Sequence, residues 1–317
     1  MTSRSASRII GVLTAALFAL PCANAQTSPS LDDLLGVCRD VSGEIEPSRA
    51  ISACTTVIET ATPNWHTLQD ARFNRGNAYY ALGDFDDALA DYNEVVRLNP
   101  RAAGAIINRG LVYAQQGKLD RAITEFTTAI ALDPSYFSPR YSRGVAYYMQ
   151  NNFELALADL DETIRLKPDD ARAYGARGNV HFSMERHDLA IADYAEAIRI
   201  EPQDHRSFLN RGAVHLVLRN DSEAISDFTE ALRLAPGEEE ALRHRAAAYL
   251  RLERWQESLE DFNGAIRTQD AGAFDHFGRG IALLRLGHAQ EGQTEIERAT
   301  ALNPGIVDEY AQMGLTP

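Results

Sequence analysis

The sequence predicts an all-α chain, a solenoid of stacked helix-turn-helix hairpins, and three observations predict it. Glycines fall at Gly76, Gly110, Gly144, Gly178, Gly212 and Gly280, with Ala246 in the remaining slot, so the spacing is 34 residues or a multiple of it. Prolines at Pro100, Pro134, Pro168, Pro202, Pro236 and Pro304 keep the same interval. Inside each copy apolar residues recur three or four apart in two separate runs, which is helical spacing written twice. Self-similarity at this period, held over seven copies without an insertion, means units that bury each other's faces.

The first copy shows how one unit is made. Phe73, Gly76, Tyr79 and Tyr80 form one helical face; Phe85, Ala88, Leu89, Tyr92, Val95 and Val96 form the other, and Gly83 supplies the turn between them. Gly76 and Ala88 are small where two helices would cross and so let the backbones approach, while Tyr79 and Tyr92 fill the space around the crossing. Pro100 lacks an N–H and cannot continue the second helix.

These residues resemble the tetratricopeptide repeat family: the glycine, an aromatic three later, an alanine twelve later, an aromatic sixteen later and the proline, as in Gly110, Tyr113, Ala122, Phe126 and Pro134. The resemblance covers about residues 69 to 304 and implies a right-handed α-solenoid. It also implies that first helices line a concave surface and second helices an outer one. His181 and His215 depart from the pattern at the first-helix tyrosine, Asp270 at a proline and Gly292 at the alanine. The last copy is therefore expected to be the least tightly packed.

The ends read differently. Residues 1–25 predict a cleaved signal peptide: Arg4 and Arg8 give a basic start, an apolar run follows, and a small-x-small site favours cutting after Ala25. The run from Ile9 to Leu20 is 12 residues, where a membrane span takes about 20, so no span is expected after cleavage. A lipidated Cys22 is disfavoured by Pro21 before it, where a small residue is normal. The expected location is periplasmic or secreted.

Residues 26–66 read as a diverged N-terminal hairpin acting as a cap, because "RAISACTTVIET" aligns with "DALADYNEVVRL" and sets Cys54 where Tyr92 stands and Cys38 in the glycine slot. Cleavage leaves only these two cysteines, and an even pair in an oxidising compartment predicts a disulfide, the alternative being two buried thiols. Residues 67–304 hold the seven repeats. Residues 305–317 read as a capping helix and tail, with Ile306, Tyr310 and Met313 covering the last pair.

Composition narrows the function. With 45% hydrophobic and 24% charged residues the chain can bury a large core, so disorder is not the default. A net charge of −14 opposes binding to a phosphate backbone, and no nucleic-acid partner is expected. No glycine-rich phosphate loop, His-Glu-x-x-His, Cys-x-x-Cys or Gly-x-Ser-x-Gly elbow occurs, so neither catalysis nor a cofactor is expected. His181 and His215 share a slot in adjacent repeats, but such units stand roughly 10 Å apart, too far for one metal ion.

Two rows run through the whole array. The residue before each glycine slot is Arg75, Arg109, Arg143, Arg177, Arg211, Arg245 or Arg279, and fifteen after it stands Asp91, Glu125, Asp159, Asp193, Asp227, Asp261 or Glu295. Their co-occurrence predicts an ion-pair ladder that sets the stacking register, within or between repeats, because a guanidinium can hold two carboxylates at once. A row of ligand-binding arginines is the weaker reading, since each arrives with its own acid.

The second row is the first-helix stripe. It includes Phe73, Asn77 and Tyr80; Tyr141 and Tyr148; Asn179 and Phe182, in an otherwise apolar series that reads as a binding groove, the alternative being plain packing between successive first helices. Asn74, Asn108 and Asn210, two before the glycine, resemble the asparagine ladder with which some members of the family hold peptide backbones. Amides donate and accept, so they suit an extended chain of any sequence, and in an open groove they are expected to be solvated when it is empty. The carboxylate clamp of chaperone-binding members is not matched, since Phe73, Ser138 and Ser142 stand where cations belong. The expected function is a non-enzymatic scaffold that binds a protein or extended peptide; the alternative is a solenoid that self-assembles through its terminal repeats.

Overall fold

The computed structural model describes residues 29–39, 45–60, 65–266 and 271–316. It is a right-handed α-solenoid, all-helical among the described residues. A terminal hairpin of α1 (Leu31–Cys38) and α2 (Pro47–Thr60) leads into the repeats. These are α3 (Trp65–Leu82) with α4 (Phe85–Leu98), α5 (Ala103–Gln115) with α6 (Leu119–Leu132), and α7 (Phe137–Met149) with α8 (Phe153–Leu166). Then come α9 (Ala171–Ser183) with α10 (His187–Ile200), α11 (His205–Val217) with α12 (Asp221–Leu234), and α13 (Glu239–Arg251) with α14 (Trp255–Ala265). The last pair is α15 (Ala273–Arg285) with α16 (Ala289–Leu302), followed by α17 (Ile306–Gln312). Asp270 and residues 1–25 lie outside the described residues, and no helix among those described is long and apolar enough to cross a membrane.

In six of the seven repeats the hairpin closes on its glycine, Ala246 standing in the remaining slot. A Cβ added to Gly110 would come within 2.7 Å of the Phe126 ring, and one on Gly212 within 2.8 Å of Phe228. Where the residue sixteen later is aromatic its ring therefore packs against the bare helix backbone, which explains why the two recur together. The turn between paired helices is equally regular. At Gly83, Gly117, Asn151, Glu185, Arg219, Glu253 and Gly287, again 34 apart, the backbone takes a positive φ. Its N–H and the next one close the helix end, as in Gly83 N to Tyr80 O (3.1 Å) and Asp84 N to Tyr79 O (2.9 Å). Three copies thus hold Glu or Arg where glycine costs least.

Successive first helices touch one another from α3 through α15, whereas successive second helices do not. Elements on the inside of a curve are the closer ones, so the first helices form the concave side.

The arginine ladder settles which acid each arginine holds. Arg143 donates from Nε and Nη2 to Asp159 at 2.7 and 2.8 Å, and Arg75, Arg177, Arg211 and Arg245 grip Asp91, Asp193, Asp227 and Asp261 in the same two-pronged way. The pairing is within a repeat. The third nitrogen crosses to the preceding second helix, with Arg143 Nη1 2.9 Å from Thr127 Oγ1 and Arg177 Nη1 2.6 Å from Asp161. Arg75 reaches Thr55 in the terminal hairpin, the residue that the alignment of that hairpin equates with Asn93, itself the partner of Arg109. Where the acid is Glu125, its longer arm meets only Arg109 Nη2, and the buried Nε of Arg109 is left without a partner.

Asp159 is 7% exposed, so Arg143→Ala should cost about 1 to 3 kcal/mol by stranding a buried carboxylate. Chemical denaturation of the variant checks this. Arg143→Lys should not restore the midpoint, because an ammonium cannot make the two-pronged contact.

The expectation that the last repeat is the loosest is not met. Gly292 lets α16 approach α15 until an added Cβ would stand 2.9 Å from the Gly280 carbonyl oxygen and 2.8 Å from Leu284 Cγ. Phe277, Ile281, Ile306, Tyr310 and Leu315 close a continuous core around this pair. A missing methyl at a helix crossing has brought the helices together instead of leaving a void. Burial alone would raise the Glu295 carboxyl here, but hydrogen bonds from His276 (2.7 Å) and Arg279 outweigh it and hold it below its usual range.

The terminal hairpin carries the Cys38–Cys54 disulfide, with both cysteines buried beside Val57 and Ala71.

Candidate functional site

The concave side opens into a trough between α5 and α11. One cavity of about 380 Å³ is lined by Tyr141, Tyr148, Gly175, Asn179, Arg206 and Asn210, among others. A second, of about 200 Å³, includes Leu111, Ala114 and Phe126 and shares Tyr141, Val145 and Met149 with the first. The floor is apolar where side chains pack between neighbouring first helices. Its edge is polar where Asn179 and Asn210 meet.

The predicted stripe divides between packing and trough. Phe73 lies 6.1 Å from the Tyr92 ring and packs over Gly104, at the joint between the first two repeats, and Tyr80 lies 5.8 Å from Phe85 inside the first hairpin. Phe182 packs 5.7 Å from His187. Tyr141 and Tyr148 face the cavity, Tyr141 beneath the Arg172 guanidinium at 5.2 Å and Tyr148 with its hydroxyl 3.3 Å from Ser183 Oγ. Asn74 is half-buried and has no hydrogen-bond partner among the described residues.

The other asparagines are not free, solvated amides: each already makes a hydrogen bond within the protein, and here the expectation is corrected. Asn77 Oδ1 accepts from the Tyr92 hydroxyl at 2.8 Å and from Asn108 Nδ2 at 2.7 Å. The arrangement returns three repeats on, where Asn179 Oδ1 accepts from Tyr194 (2.6 Å) and Asn210 Nδ2 (3.2 Å). A tyrosine sixteen after the glycine brings its hydroxyl to the concave side and needs an acceptor there. The asparagine one after the glycine supplies it, and the asparagine two before the next glycine completes the link. Phe126, Leu160, Phe228 and Phe262 occupy the tyrosine slot in other repeats and have no hydroxyl to satisfy, which is why the ladder is broken. Burial pushes the Tyr92 and Tyr194 phenols well above their usual pKa and keeps them protonated as donors.

Asn77→Ala should therefore destabilise the free protein by about 1 to 3 kcal/mol, since Tyr92 is 1% exposed and its hydroxyl would lose its acceptor. Comparison with Tyr92→Phe/Asn77→Ala, which should recover part of the loss, measures the pair by a double-mutant cycle.

Sequence reasoning missed how the chain closes its own groove. After α17 the backbone turns at Gly314, and Leu315 is buried in the same cluster as Leu250 and Ile281, which lie on the concave stripe of the last two repeats. Arg219 donates to the carbonyl oxygens of Met313 and Gln312, and Arg285 Nη2 donates to Thr316 O at 3.2 Å. Only the spacing of Gly314, one further period after Gly280, hinted that α17 begins an eighth first helix.

A tetratricopeptide repeat model matches residues 73–137, 141–205 and 209–275, more than half of the chain. The protein belongs to the tetratricopeptide repeat family. Solved tetratricopeptide repeat structures share the fold. PilF of Pseudomonas aeruginosa is 19% identical over 67% of this chain and 97% of that one, with a TM-score of 0.60. A tetratricopeptide repeat protein from Parabacteroides merdae is 17% identical over 77% and 98%, with a TM-score of 0.56. MamA is 29% identical over 50% and 93%, with a TM-score of 0.46. No curated protein matches the chain. Tetratricopeptide repeats serve as scaffolds for protein–protein interaction. Among the described residues no group of three or more His, Cys, Asp or Glu could hold a metal. His181 stands 3.8 Å from Asp193, with burial lowering its pKa, and His215 faces Asn220 at 3.5 Å.

Proposed function

We propose that this tetratricopeptide repeat protein is a non-enzymatic scaffold, exported from the cytoplasm, that holds an extended protein segment along the trough from α5 to α11. The observation that carries the reading is the trough itself, with an apolar floor of Tyr141, Val145 and Met149 beside the Asn179–Asn210 link. That link uses Asn179 Oδ1 and one proton of Asn210 Nδ2. The amide protons of Asn179 and the carbonyl of Asn210 are left to pair with a peptide backbone. Residues 1–25 as a cleaved leader and the Cys38–Cys54 bridge support an oxidising location. Self-assembly has less behind it, because α17 and the tail already cover the last hairpin.

The test is capture of partners from extract by three baits: wild type, Val145→Arg in the trough, and Leu189→Arg on the second-helix face, where Leu189 is exposed. A protein retained by wild type and Leu189→Arg but not by Val145→Arg is the expected result. Equal recovery on Val145→Arg would place the partner elsewhere. Intact mass of exported protein checks removal of residues 1–25.

A further inference from the structure

We propose that Gly175 marks the seat of an aromatic side chain supplied by the bound segment, with the Arg206 guanidinium as its cation–π partner. The proposal rests on the trough being a peptide site and names what that site selects.

The slot three before the repeat glycine is filled by Phe73, Ile107, Tyr141, Leu209, Arg243 and Phe277, and only Gly175 leaves it without a side chain. A Cβ built on Gly175 meets nothing within 4 Å, and the vacancy opens into the 380 Å³ cavity. In the first repeat the same slot is closed, with Phe73 packed to 3.4 Å of where a Gly104 Cβ would stand.

The preceding repeat shows what a filled slot looks like. Tyr141 occupies it, and Arg172 of the next first helix lies over the ring at 5.2 Å. Shifting both residues by one period of 34 gives Gly175 and Arg206, so the cation is retained and the ring is missing. The two arginines also differ in what holds them. Asp170 grips Arg172 through Nε and Nη2 at 2.9 and 2.7 Å. Its counterpart Asp204 is engaged by the Arg206 and Ser207 backbone N–H groups and by Ser207 Oγ. The exposed Arg206 guanidinium makes no hydrogen bond or ion pair among the described residues, and both it and Gly175 line the cavity.

A guanidinium over a ring face is attracted by the ring quadrupole, an attraction that an aliphatic side chain cannot return. A Phe, Tyr or Trp seated at Gly175 would also meet Tyr148, Val145 and Met149, while the backbone on either side passes Asn179 and Asn210. The chain's own tail shows the concave stripe taking up a side chain from an irregular segment, with Leu315 buried in one cluster with Leu250 and Ile281.

Panning a displayed library of random linear peptides against the protein should enrich sequences with one aromatic residue. Synthetic copies should bind Gly175→Tyr roughly tenfold more weakly, because the protein's own ring then fills the seat, and Arg206→Ala more weakly by a smaller factor. Gly175→Tyr should melt no lower than wild type. If it fails to fold, Arg206→Ala reads the same stack from an exposed position, and replacing the peptide's aromatic by Leu should then cost wild type more than it costs Arg206→Ala. Enriched peptides without an aromatic, or equal affinity for wild type and Arg206→Ala, would overturn the seat while leaving the trough as the peptide site. Peptides indifferent to Val145→Arg would overturn both.

Discussion

Gly278→Asn should unseat the C-terminal helix and cost about 3 to 5 kcal/mol. The substitution looks benign in sequence, since Gly278 stands in the slot of Asn74, Asn108 and Asn210 and would extend the amide series to the last repeat. In the fold that slot is already occupied. An added Cβ would overlap the Phe262 ring, whose Cε2 would be 2.5 Å away, and the Tyr310 hydroxyl. Neither can yield cheaply: both side chains are fully buried, and the Tyr310 hydroxyl donates to Phe274 O at 2.8 Å. Helix propensity favours Asn over Gly by only a few tenths of a kcal/mol, far too little to compensate. Expelling Tyr310 should free Ile306 and Leu315 with it. Hydrogen exchange should then show protection lost over 306–316 while the first repeats are unchanged. Retained protection there, with an unchanged midpoint, would show that α17 is not a structural cap.

Removing the disulfide should have an effect of similar size at the other end. Cys38 and Cys54 are 16 residues apart, and closing a loop of that length stabilises by about 3 kcal/mol in the chain-entropy model. Among the described residues the α1–α2 hairpin packs on one neighbour only, so it has little tertiary support to replace the cross-link. Cys54→Ala should therefore raise exchange in α1 and α2 by about a hundredfold, the factor that this free energy corresponds to. Because units in such arrays couple chiefly to their neighbours, repeats beyond α5 should keep their wild-type protection. Uniform loss along the chain would instead mean that the array unfolds as one cooperative block. Intact mass under non-reducing conditions, lighter by two hydrogens than the dithiol, verifies the bond.

The arginine ladder shows where sequence periodicity stops being informative. Seven arginines and seven acids in fixed register state that they pair, but a repeat of 34 is silent on whether Arg143 meets Asp159 of its own unit or the acid of the unit before. The folded chain answers with the acid of its own unit, gripped by two prongs, while the third bond crosses the joint to the Thr127 hydroxyl. The asparagines show the converse. They were legible as a concave series, yet Asn77 is spent on the Tyr92 hydroxyl, a partner on another helix, and Asn108 on Asn77.

The hairpin, its period and the order of its helices follow from the sequence alone, because they depend on local matters: helical spacing of apolar residues, bare backbone at the glycines and proline punctuation. The Cys38–Cys54 pairing was legible for a related reason, since aligning the terminal hairpin on its neighbours puts the two cysteines in facing slots. What only the tertiary structure decided are packing contacts within the last hairpin and between units. The tail covers the stripe at Leu250 and Ile281, Gly292 draws the last pair of helices together, and the side chain missing at Gly175 leaves a cavity open. They depend on which side chains meet across helix crossings and on the curvature of the stack, which sums small rotations over many repeats and cannot be read from any one of them.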